Sequence, residues 1–248
     1  GSVVGIAIVM TLTVSIANAD VPKLLKGVRT IVTLGDSITQ AGGARDGYVD
    51  LIGRYLNSLY PDKSIKVINA GISGHKSTDM QARFDRDVLR HNPDLVTISV
   101  GVNDVWHGFR DFQRGINHPD GELPAGVSLE LYREKVIAMV NAAQAAHVKV
   151  VLLSPTLIYE NLDSVENKRL ALYNEEMRTI AGEFRVGFID MNKPFKEVIS
   201  VFQKFGGLGT NILTTDGVHM NAAGNKLMAV TILRGFGIRD RDLEAVKP

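Results

Sequence analysis

Five short apolar runs, rich in β-branched residues, recur along the chain after residue 28. They occupy residues 29–34, 65–70, 95–100, 149–153 and 187–190. Runs of this length that are almost continuously apolar are typical of strands buried on both faces of a parallel sheet. We therefore predict five buried parallel strands.

Helical patterns separate these runs. Residues 48–59 place Val49, Ile52 and Leu56 on one face of a helix. Further helical patterns predict helices over residues 77–89, 129–147, 165–184 and 221–234. Strands that alternate with helices in this way predict a three-layer α/β fold with right-handed crossovers. Because no repeat or linker interrupts the pattern, residues 20–248 are predicted to form a single domain.

Two segments break the alternation and are predicted to be long loops. Residues 105–128 are rich in Gly, Pro, His and aromatic side chains, and residues 195–215 contain the sequence KFGGLGTN. Long irregular segments in a compact domain are usually functional or disordered. In an open parallel sheet, ligands bind beyond the carboxyl ends of the strands. The residues that follow the strands are therefore the first candidates for function.

The first 19 residues form a separate apolar segment. Residues 2–19 carry no charged side chain and end in Ala17-Asn18-Ala19, directly before Asp20. This resembles the apolar core and cleavage site of a secretory signal peptide, although the positively charged start is missing. We expect export to the periplasm or the extracellular space, and no stable membrane insertion once the leader is removed. A buried N-terminal helix and a membrane anchor are the alternatives, although the run is short for a spanning helix.

Composition and charge narrow the range of functions. The chain has 248 residues, a net charge of +1 with both signs scattered, and no cysteine. The lack of cysteine excludes a disulfide scaffold, a thiolate metal site and a cysteine nucleophile. Because no basic block is present, we expect neither a nucleic-acid partner nor electrostatic attachment to a membrane. The sequence indicates no particular oligomeric state.

Short polar motifs stand at the ends of the predicted strands. GDS with Ser37, NAGISG with Gly71 and GVND with Asn103 follow the first three strands, and DGVHMN with Asp216 and His219 precedes the last helix. Each motif alone is a weak signal, because Gly, Asn, Asp and Ser are common in turns. Their convergence at one edge of a parallel sheet is much more specific.

The side chains in these motifs match the requirements of acyl transfer, which needs a hydroxyl nucleophile, an oriented base and oxyanion donors. Ser37 can be the nucleophile. Its own N–H, the N–H of Gly71 and the amide of Asn103 could stabilise an oxyanion. Asp216 could accept a hydrogen bond from Nδ1–H of His219, which leaves Nε2 free to take the Ser37 proton.

Together the four motifs resemble the sequence blocks of the SGNH hydrolases, also called the GDSL esterase/lipase family. The first block reads GDSI here, where the family name has GDSL. The resemblance implies a flavodoxin-like α/β/α sandwich with a five-stranded parallel sheet. It implies a triad of Ser37, His219 and Asp216, and an oxyanion hole formed by Ser37, Gly71 and Asn103. We expect no cofactor and no metal.

The expected reaction is hydrolysis of a carboxylic ester through an acyl-enzyme, with a small-molecule or glycan ester as substrate. Because the segment over residues 105–128 is polar and aromatic, we expect a short acyl group, foremost acetyl on a carbohydrate. One alternative is a lysophospholipase or thioesterase that acts on longer acyl chains. Outside the enzymes, the alternative is a flavodoxin-like ligand-binding module.

Other residues close to the motifs are expected to have smaller roles. Trp106, His107 and His75 are candidate substrate contacts, since each lies within a few positions of a motif. Asp36 and Asp104 are expected to shape the local turns rather than to take part in catalysis.

Overall fold

A sheet of five parallel strands forms the centre of the molecule. The structure is a computed structural model that describes residues 19–207 and 209–247. The strands in chain order are β1 (Thr30–Gly35), β2 (Lys66–Gly71), β3 (Leu95–Ser99), β4 (Arg110–Asp111), β5 (Ile116–Asn117), β6 (Lys149–Leu153) and β7 (Gly187–Ile189). The large sheet has the order β2-β1-β3-β6-β7, and β4 and β5 form a separate hairpin. This flavodoxin-like order confirms the predicted fold class.

Helices cover both faces of the large sheet. They are α1 (Ser37–Ala41), α2 (Tyr48–Leu59), α3 (Ser77–Ala82), α4 (Phe84–Asp87), α5 (Val102–Phe109), α6 (Leu129–Ala145), α7 (Val165–Phe184), α8 (Asn192–Lys204), α9 (Ala222–Gly235) and α10 (Asp240–Ala245). In one layer α2 packs against α9, and in the other α6 packs against α3 and α7. Most apolar side chains of the sheet are buried against these helices, whereas Val67, Ile68 and Phe188 of the edge strands are partly buried.

The register of the strands brings their carboxyl ends to one edge. Leu34 of β1 is level with Ala70 of β2 and with Ile98 of β3, and Leu153 of β6 is level with Ile189 of β7. Because the strands are parallel and in step, the segments that follow β1, β2 and β3 leave the sheet at neighbouring points. The polar motifs therefore start from the same edge.

The two predicted long loops each contain a helix. The prediction for residues 105–128 is wrong at its start, because α5 buries Val102, Val105 and Phe109 at helical spacing. The remainder of that segment contains the short β4–β5 hairpin.

The predicted loop over residues 195–215 is also wrong in its first half, because α8 continues to Lys204. This helix buries Phe195 and Ile199, which lie four positions apart on one face. Pro194 falls in the first turn of α8, where a missing N–H breaks no intrahelical hydrogen bond. The glycine-rich stretch that suggested a loop begins only after the helix ends.

The helix predicted over residues 77–89 is broken in the middle. It consists of α3 and α4, followed by a 3₁₀ turn over Leu89–His91. Arg83 separates the two helices with φ −106° and ψ 4°, outside the α-helical region. Its side chain is turned into the protein, where it contacts the ends of β1 and β2.

The predicted leader over residues 1–19 lies, apart from its last residue, outside the described residues. Its interpretation as a signal peptide, and the domain boundary at residue 20, stay predictions. Among the helices that the structure describes, none combines the length and the hydropathy required to cross a membrane.

Candidate active site

Ser37 lies at the tip of β1 and is the first residue of α1. The carboxylate of Asp36 accepts a hydrogen bond from the N–H of Ile38 at 2.9 Å and thereby caps this short helix. Ser37 itself is half-buried. The GDS motif is thus a capped turn that presents a serine hydroxyl at the edge of the sheet.

A continuous chain of hydrogen bonds links this hydroxyl to an imidazole and a carboxylate. Ser37 Oγ lies 2.8 Å from His219 Nε2, and His219 Nδ1 lies 2.7 Å from Asp216 Oδ2. In this geometry the imidazole can accept the serine proton while the carboxylate holds its tautomer and orientation. The structure therefore brings together the three residues that the sequence analysis predicts as a triad.

The turn that carries His219 also orients Asp216. Oδ1 of Asp216 accepts hydrogen bonds from the N–H groups of Val218 at 3.0 Å and His219 at 2.8 Å. Burial alone would raise the pKa of Asp216, but its hydrogen bonds to the backbone and ring of His219 lower it below the ordinary value. The acid is therefore ionised at neutral pH and can stabilise a positive charge on the imidazole.

Glu160 holds the segment that leads into this turn, and sequence reasoning missed it. Its Oε1 accepts from the N–H of Leu213 at 2.9 Å and from the N–H and hydroxyl of Thr214 at 2.8 and 2.7 Å. Its Oε2 accepts from the N–H of Ile212 at 2.8 Å. No local pattern could reveal this role, because the partners lie 52 to 54 positions further along the chain.

The contacts of Gly71 contradict its predicted role as an oxyanion donor. Gly71 is the last residue of β2, and its N–H donates to Oδ1 of Asn69 at 2.8 Å. The amide of Asn69 in turn donates to the carbonyl of Thr39 at 2.6 Å. Because the N–H of Gly71 already has a partner within the protein, it is not free to receive an oxyanion.

Gly74, three positions later, offers the free N–H that Gly71 lacks. The N–H groups of residues 72, 73 and 75 all donate to oxygen atoms of the protein. The N–H of Gly74 has no partner among the described residues. Gly74 is half-buried, so its N–H is free of protein acceptors and open to an acceptor from a ligand. Gly74 therefore replaces Gly71 as the candidate donor, and the second glycine of GISG was the available signal.

Asn103 lies in the first turn of α5 and is buried. Its Nδ2 donates to the carbonyl of His75 at 3.1 Å, which ties the amide to the turn that contains Gly74. An amide nitrogen carries two hydrogens, so this contact leaves a second donor. The candidate oxyanion donors are thus the N–H groups of Ser37 and Gly74 and the side chain of Asn103.

Trp106 forms part of an aromatic wall, which consists of Trp106, Tyr159 and Phe112. The indole N–H of Trp106 donates to the hydroxyl of Tyr159 at 3.0 Å, and its ring lies edge-on to Phe112 at 4.6 Å. The backbone N–H of Tyr159 donates to the carbonyl of Gly217, between Asp216 and His219 in sequence. The wall therefore adjoins the turn that carries the imidazole.

The two histidines predicted to contact substrate differ in their surroundings. His107 is half-buried, and its ring is tilted against that of Phe112 with the ring centroids 5.1 Å apart, so it adjoins the aromatic wall. His75 is held by the protein itself, because its Nδ1 accepts a hydrogen bond from Nε of Arg83 at 2.9 Å. Burial, followed by the charge of Arg83, lowers the pKa of His75, and burial lowers that of His107.

Asp36 and Asp104 are buried acids with structural contacts. Burial raises the pKa of each to about 6. Oδ1 of Asp104 accepts from the N–H of Ser77 at 3.0 Å and also from its hydroxyl, so it joins α5 to the start of α3.

Within residues 19–207 and 209–247, no cluster of three or more His, Asp or Glu side chains is arranged to hold a metal ion.

The chain has relatives among known proteins. Residues 33–227 match the model of a family described as the GDSL-like Lipase/Acylhydrolase family. The chain is 29% identical over 222 residues to an acetylxylan esterase of Geobacillus stearothermophilus, covering 84% of this chain and 93% of the relative. It is 24% identical over 221 residues to an isoamyl acetate-hydrolyzing esterase of Saccharomyces cerevisiae, covering 81% and 82%.

Solved structures show the same fold. The crystal structure of Axe2, an acetylxylan esterase from Geobacillus stearothermophilus, superposes with a TM-score of 0.72 at 28% identity. This match covers 85% of the present chain and 95% of Axe2. The acetyl xylan esterase AlAXEase superposes with a TM-score of 0.72 at 30% identity, covering 83% of this chain and 98% of that one.

Proposed function

Since the chain belongs to the GDSL-like lipase/acylhydrolase family and is a carboxylic ester hydrolase, we propose that it is a serine esterase of short acyl groups, foremost acetyl groups on carbohydrate. The proposal depends chiefly on one observation, the hydrogen-bond chain from Ser37 through His219 to Asp216. The candidate oxyanion donors Ser37, Gly74 and Asn103 lie on the segments that follow β1, β2 and β3 at the same edge of the sheet, as an acyl-transfer site requires.

In the first half of the reaction, Ser37 Oγ attacks the ester carbonyl while Nε2 of His219 takes the hydroxyl proton. Asp216 stabilises the imidazolium and keeps its Nδ1–H directed toward the carboxylate. The N–H groups of Ser37 and Gly74 and the amide of Asn103 stabilise the tetrahedral oxyanion. His219 then gives the proton to the leaving alcohol, and the acyl group remains on Ser37.

In the second half, water takes the place of the alcohol. Nε2 of His219 accepts a proton from this water as it attacks the acyl carbonyl, and the same three donors stabilise the second oxyanion. The imidazolium then returns the proton to Ser37 Oγ, and the carboxylic acid leaves. The enzyme ends each cycle in its starting protonation state.

Two features support a short acyl group on a carbohydrate. The relatives named above act on acetylxylan and isoamyl acetate, both of which are acetyl esters. The aromatic wall also adjoins the triad, and Trp106 lies one helical turn after Asn103 on the same face of α5. Aromatic rings with a polar edge suit the partly apolar faces of sugar rings.

The test of the triad is the Ser37→Ala variant with p-nitrophenyl acetate as substrate. We expect kcat to fall by several orders of magnitude with the fold intact, because the nucleophile is lost. Ser58→Ala, an exposed serine of α2, is the matched control and should leave kcat unchanged. Esterase activity that survives in purified Ser37→Ala overturns the assignment.

Chain length and substrate separate acetyl esterase from lipase activity. A p-nitrophenyl ester series should peak at two carbons, and acetylated xylooligosaccharides should release acetate. A maximum at eight carbons or more favours the lysophospholipase or thioesterase alternative and overturns the proposal for acetyl groups.

We also propose that residues 1–19 act as an export signal, on the strength of the A-x-A pattern before Asp20. Expression of the full chain in a bacterium, followed by mass spectrometry of the cell fractions, tests this. A mature protein that begins at Asp20 in the periplasm or the medium supports export. An uncleaved chain confined to the cytosol contradicts it.

A further inference from the structure

Arg83 is a buried cation that lies between the elements of the active site. Its side chain is 4% exposed. The guanidinium donates to the carbonyl of Gly35 and to the carbonyl of Ala70, both at 2.9 Å. A third and a fourth contact, also at 2.9 Å, go to Nδ1 of His75 and to Oδ2 of Asp87. All three nitrogens of the group are therefore used.

Two of these contacts hold the ends of neighbouring strands. Gly35 is the last residue of β1 and precedes Ser37 by two positions, and Ala70 is the penultimate residue of β2. The two strands already pair through main-chain hydrogen bonds, and the rigid guanidinium adds a side-chain bridge between the segment that carries Ser37 and the segment that leads to Gly74. Both segments supply candidate oxyanion donors.

The contact with His75 links Arg83 to Asn103, the remaining candidate oxyanion donor. The ring of His75 accepts from Arg83, while the backbone carbonyl of the same residue accepts from Nδ2 of Asn103. His75 also follows Gly74 directly and its N–H donates to the carbonyl of Ile72, so its position constrains the turn that contains Gly74. The path from Arg83 through His75 therefore ends at both Gly74 and Asn103.

The hydrogen bond between Arg83 and His75 can have only one direction, from the guanidinium to the imidazole. A guanidinium is always protonated and can only donate, so Nδ1 of His75 must be an unprotonated acceptor. The neutral imidazole then carries its hydrogen on Nε2. The charge of Arg83 is balanced by Asp87, which also pairs with the exposed Arg86.

We propose that Arg83 is a positioning residue for the oxyanion hole and acts through the imidazole of His75. Neither side chain needs to touch the substrate. This inference rests on the proposed serine esterase function. It reassigns His75 from the predicted substrate contact to a link between the buried cation and the oxyanion donors.

The test compares His75→Leu, which removes the acceptor, with His75→Asn, whose Oδ1 can occupy a place close to that of Nδ1. Steady-state kinetics with p-nitrophenyl acetate should show kcat lowered about 10- to 100-fold in His75→Leu, less than loss of a whole oxyanion donor. KM should stay within about twofold, because the donors act mainly in the transition state. His75→Asn should recover most of the lost kcat.

Arg83→Lys is the second variant, and Arg86→Gln is its matched control. A lysine has one nitrogen and cannot hold four acceptors in a fixed plane, so kcat should fall at least as far as in His75→Leu. Arg86→Gln removes the other partner of Asp87 but leaves the contacts of Arg83, and its kcat should match the wild type. Thermal unfolding of every variant shows whether a lower rate reflects a lower folded fraction.

Three results would overturn the inference. They are an unchanged kcat in His75→Leu, a change in that variant confined to KM, and a failure of His75→Asn to recover any activity. The proposed function is measured separately, by fluorophosphonate labelling of Ser37 in the wild type and by the Ser37→Ala variant. A wild type that labels, with a His75→Leu variant of normal kcat, refutes only the role of Arg83 and His75.

Discussion

Replacement of Glu160 by Gln tests whether one buried carboxylate holds the turn that carries the triad imidazole. Glu160 is 5% exposed and accepts four hydrogen bonds from residues 212–214. Glutamine has the same shape but only one acceptor oxygen. With that oxygen toward Leu213 and Thr214, its NH₂ group faces the N–H of Ile212, and this N–H loses its acceptor.

The magnitude follows from these contacts. The contact with Ile212 is part-buried, so its N–H left without a partner costs toward the lower end of about 1–3 kcal/mol. The three remaining hydrogen bonds lose the negative charge of their acceptor, which roughly halves their strength. Together we expect about 3–5 kcal/mol less stability, which a domain of ordinary stability survives. Because Thr214 precedes Asp216 by two positions, kcat should also fall about 10- to 100-fold, on the scale of a misplaced catalytic group.

The assay is equilibrium unfolding in urea at pH 7, followed by circular dichroism and by the fluorescence of Trp106, the single tryptophan of the chain. The kcat for p-nitrophenyl acetate is measured on the same samples. Glu134→Gln is the control. Within the described part of the chain this exposed acid pairs only with its neighbour Lys135, and its loss should cost under about 0.5 kcal/mol. A Glu160→Gln variant within about 0.5 kcal/mol of the wild type refutes the reasoning.

Three further predictions concern an oxyanion donor, a buried acid and the aromatic wall. Asn103→Ala should lower kcat about 10²- to 10³-fold, and a change confined to KM excludes its role as a donor. Burial raises the pKa of Asp104 from 3.8 to about 6, so the folded state holds its proton more tightly and this group lowers stability as pH rises between these values. In urea unfolding, the drop in the free energy of unfolding from pH 4.5 to pH 7 should be about 2 kcal/mol smaller in Asp104→Asn than in the wild type. An equal drop in both proteins contradicts the raised pKa of Asp104. Trp106→Ala should raise KM for acetylated xylooligosaccharides about tenfold while kcat for p-nitrophenyl acetate changes little, and equal losses on both substrates count against a sugar-binding wall.

The sheet could be predicted because its signal is local. Each strand is a mainly apolar run, because side chains on both faces of the sheet pack against helices. The edge strand β2 departs from the predicted full burial, since Lys66 is exposed and only Ala70 is fully buried. The break between α3 and α4 could not be predicted in this way. Arg83 leaves the helical conformation and directs its side chain to the carbonyls of Gly35 and Ala70, and these contacts arise only in the folded chain.

The candidate site could be predicted in its side chains but not in its backbone. Ser37, Asp216 and His219 place a hydroxyl, a carboxylate and an imidazole at a strand end or before a helix, and the structure brings these groups together. The choice between Gly71 and Gly74 was different, because either glycine permits close approach. It depends on which backbone N–H already has a hydrogen-bond partner, and the N–H of Gly71 donates to the side chain of Asn69.

The sequence by itself determined the five strands of the large sheet, the chemistry at the strand ends and the family. These properties depend on the order of apolar and polar residues over short stretches, and that order can be read from neighbouring residues in the sequence. Tertiary structure alone decided how the site is supported: Glu160 binds residues 212–214, and Arg83 binds the ends of two strands. Both are buried charges that are stable only when several distant groups hydrogen-bond to them at once, and such convergence leaves no periodic signal in the sequence.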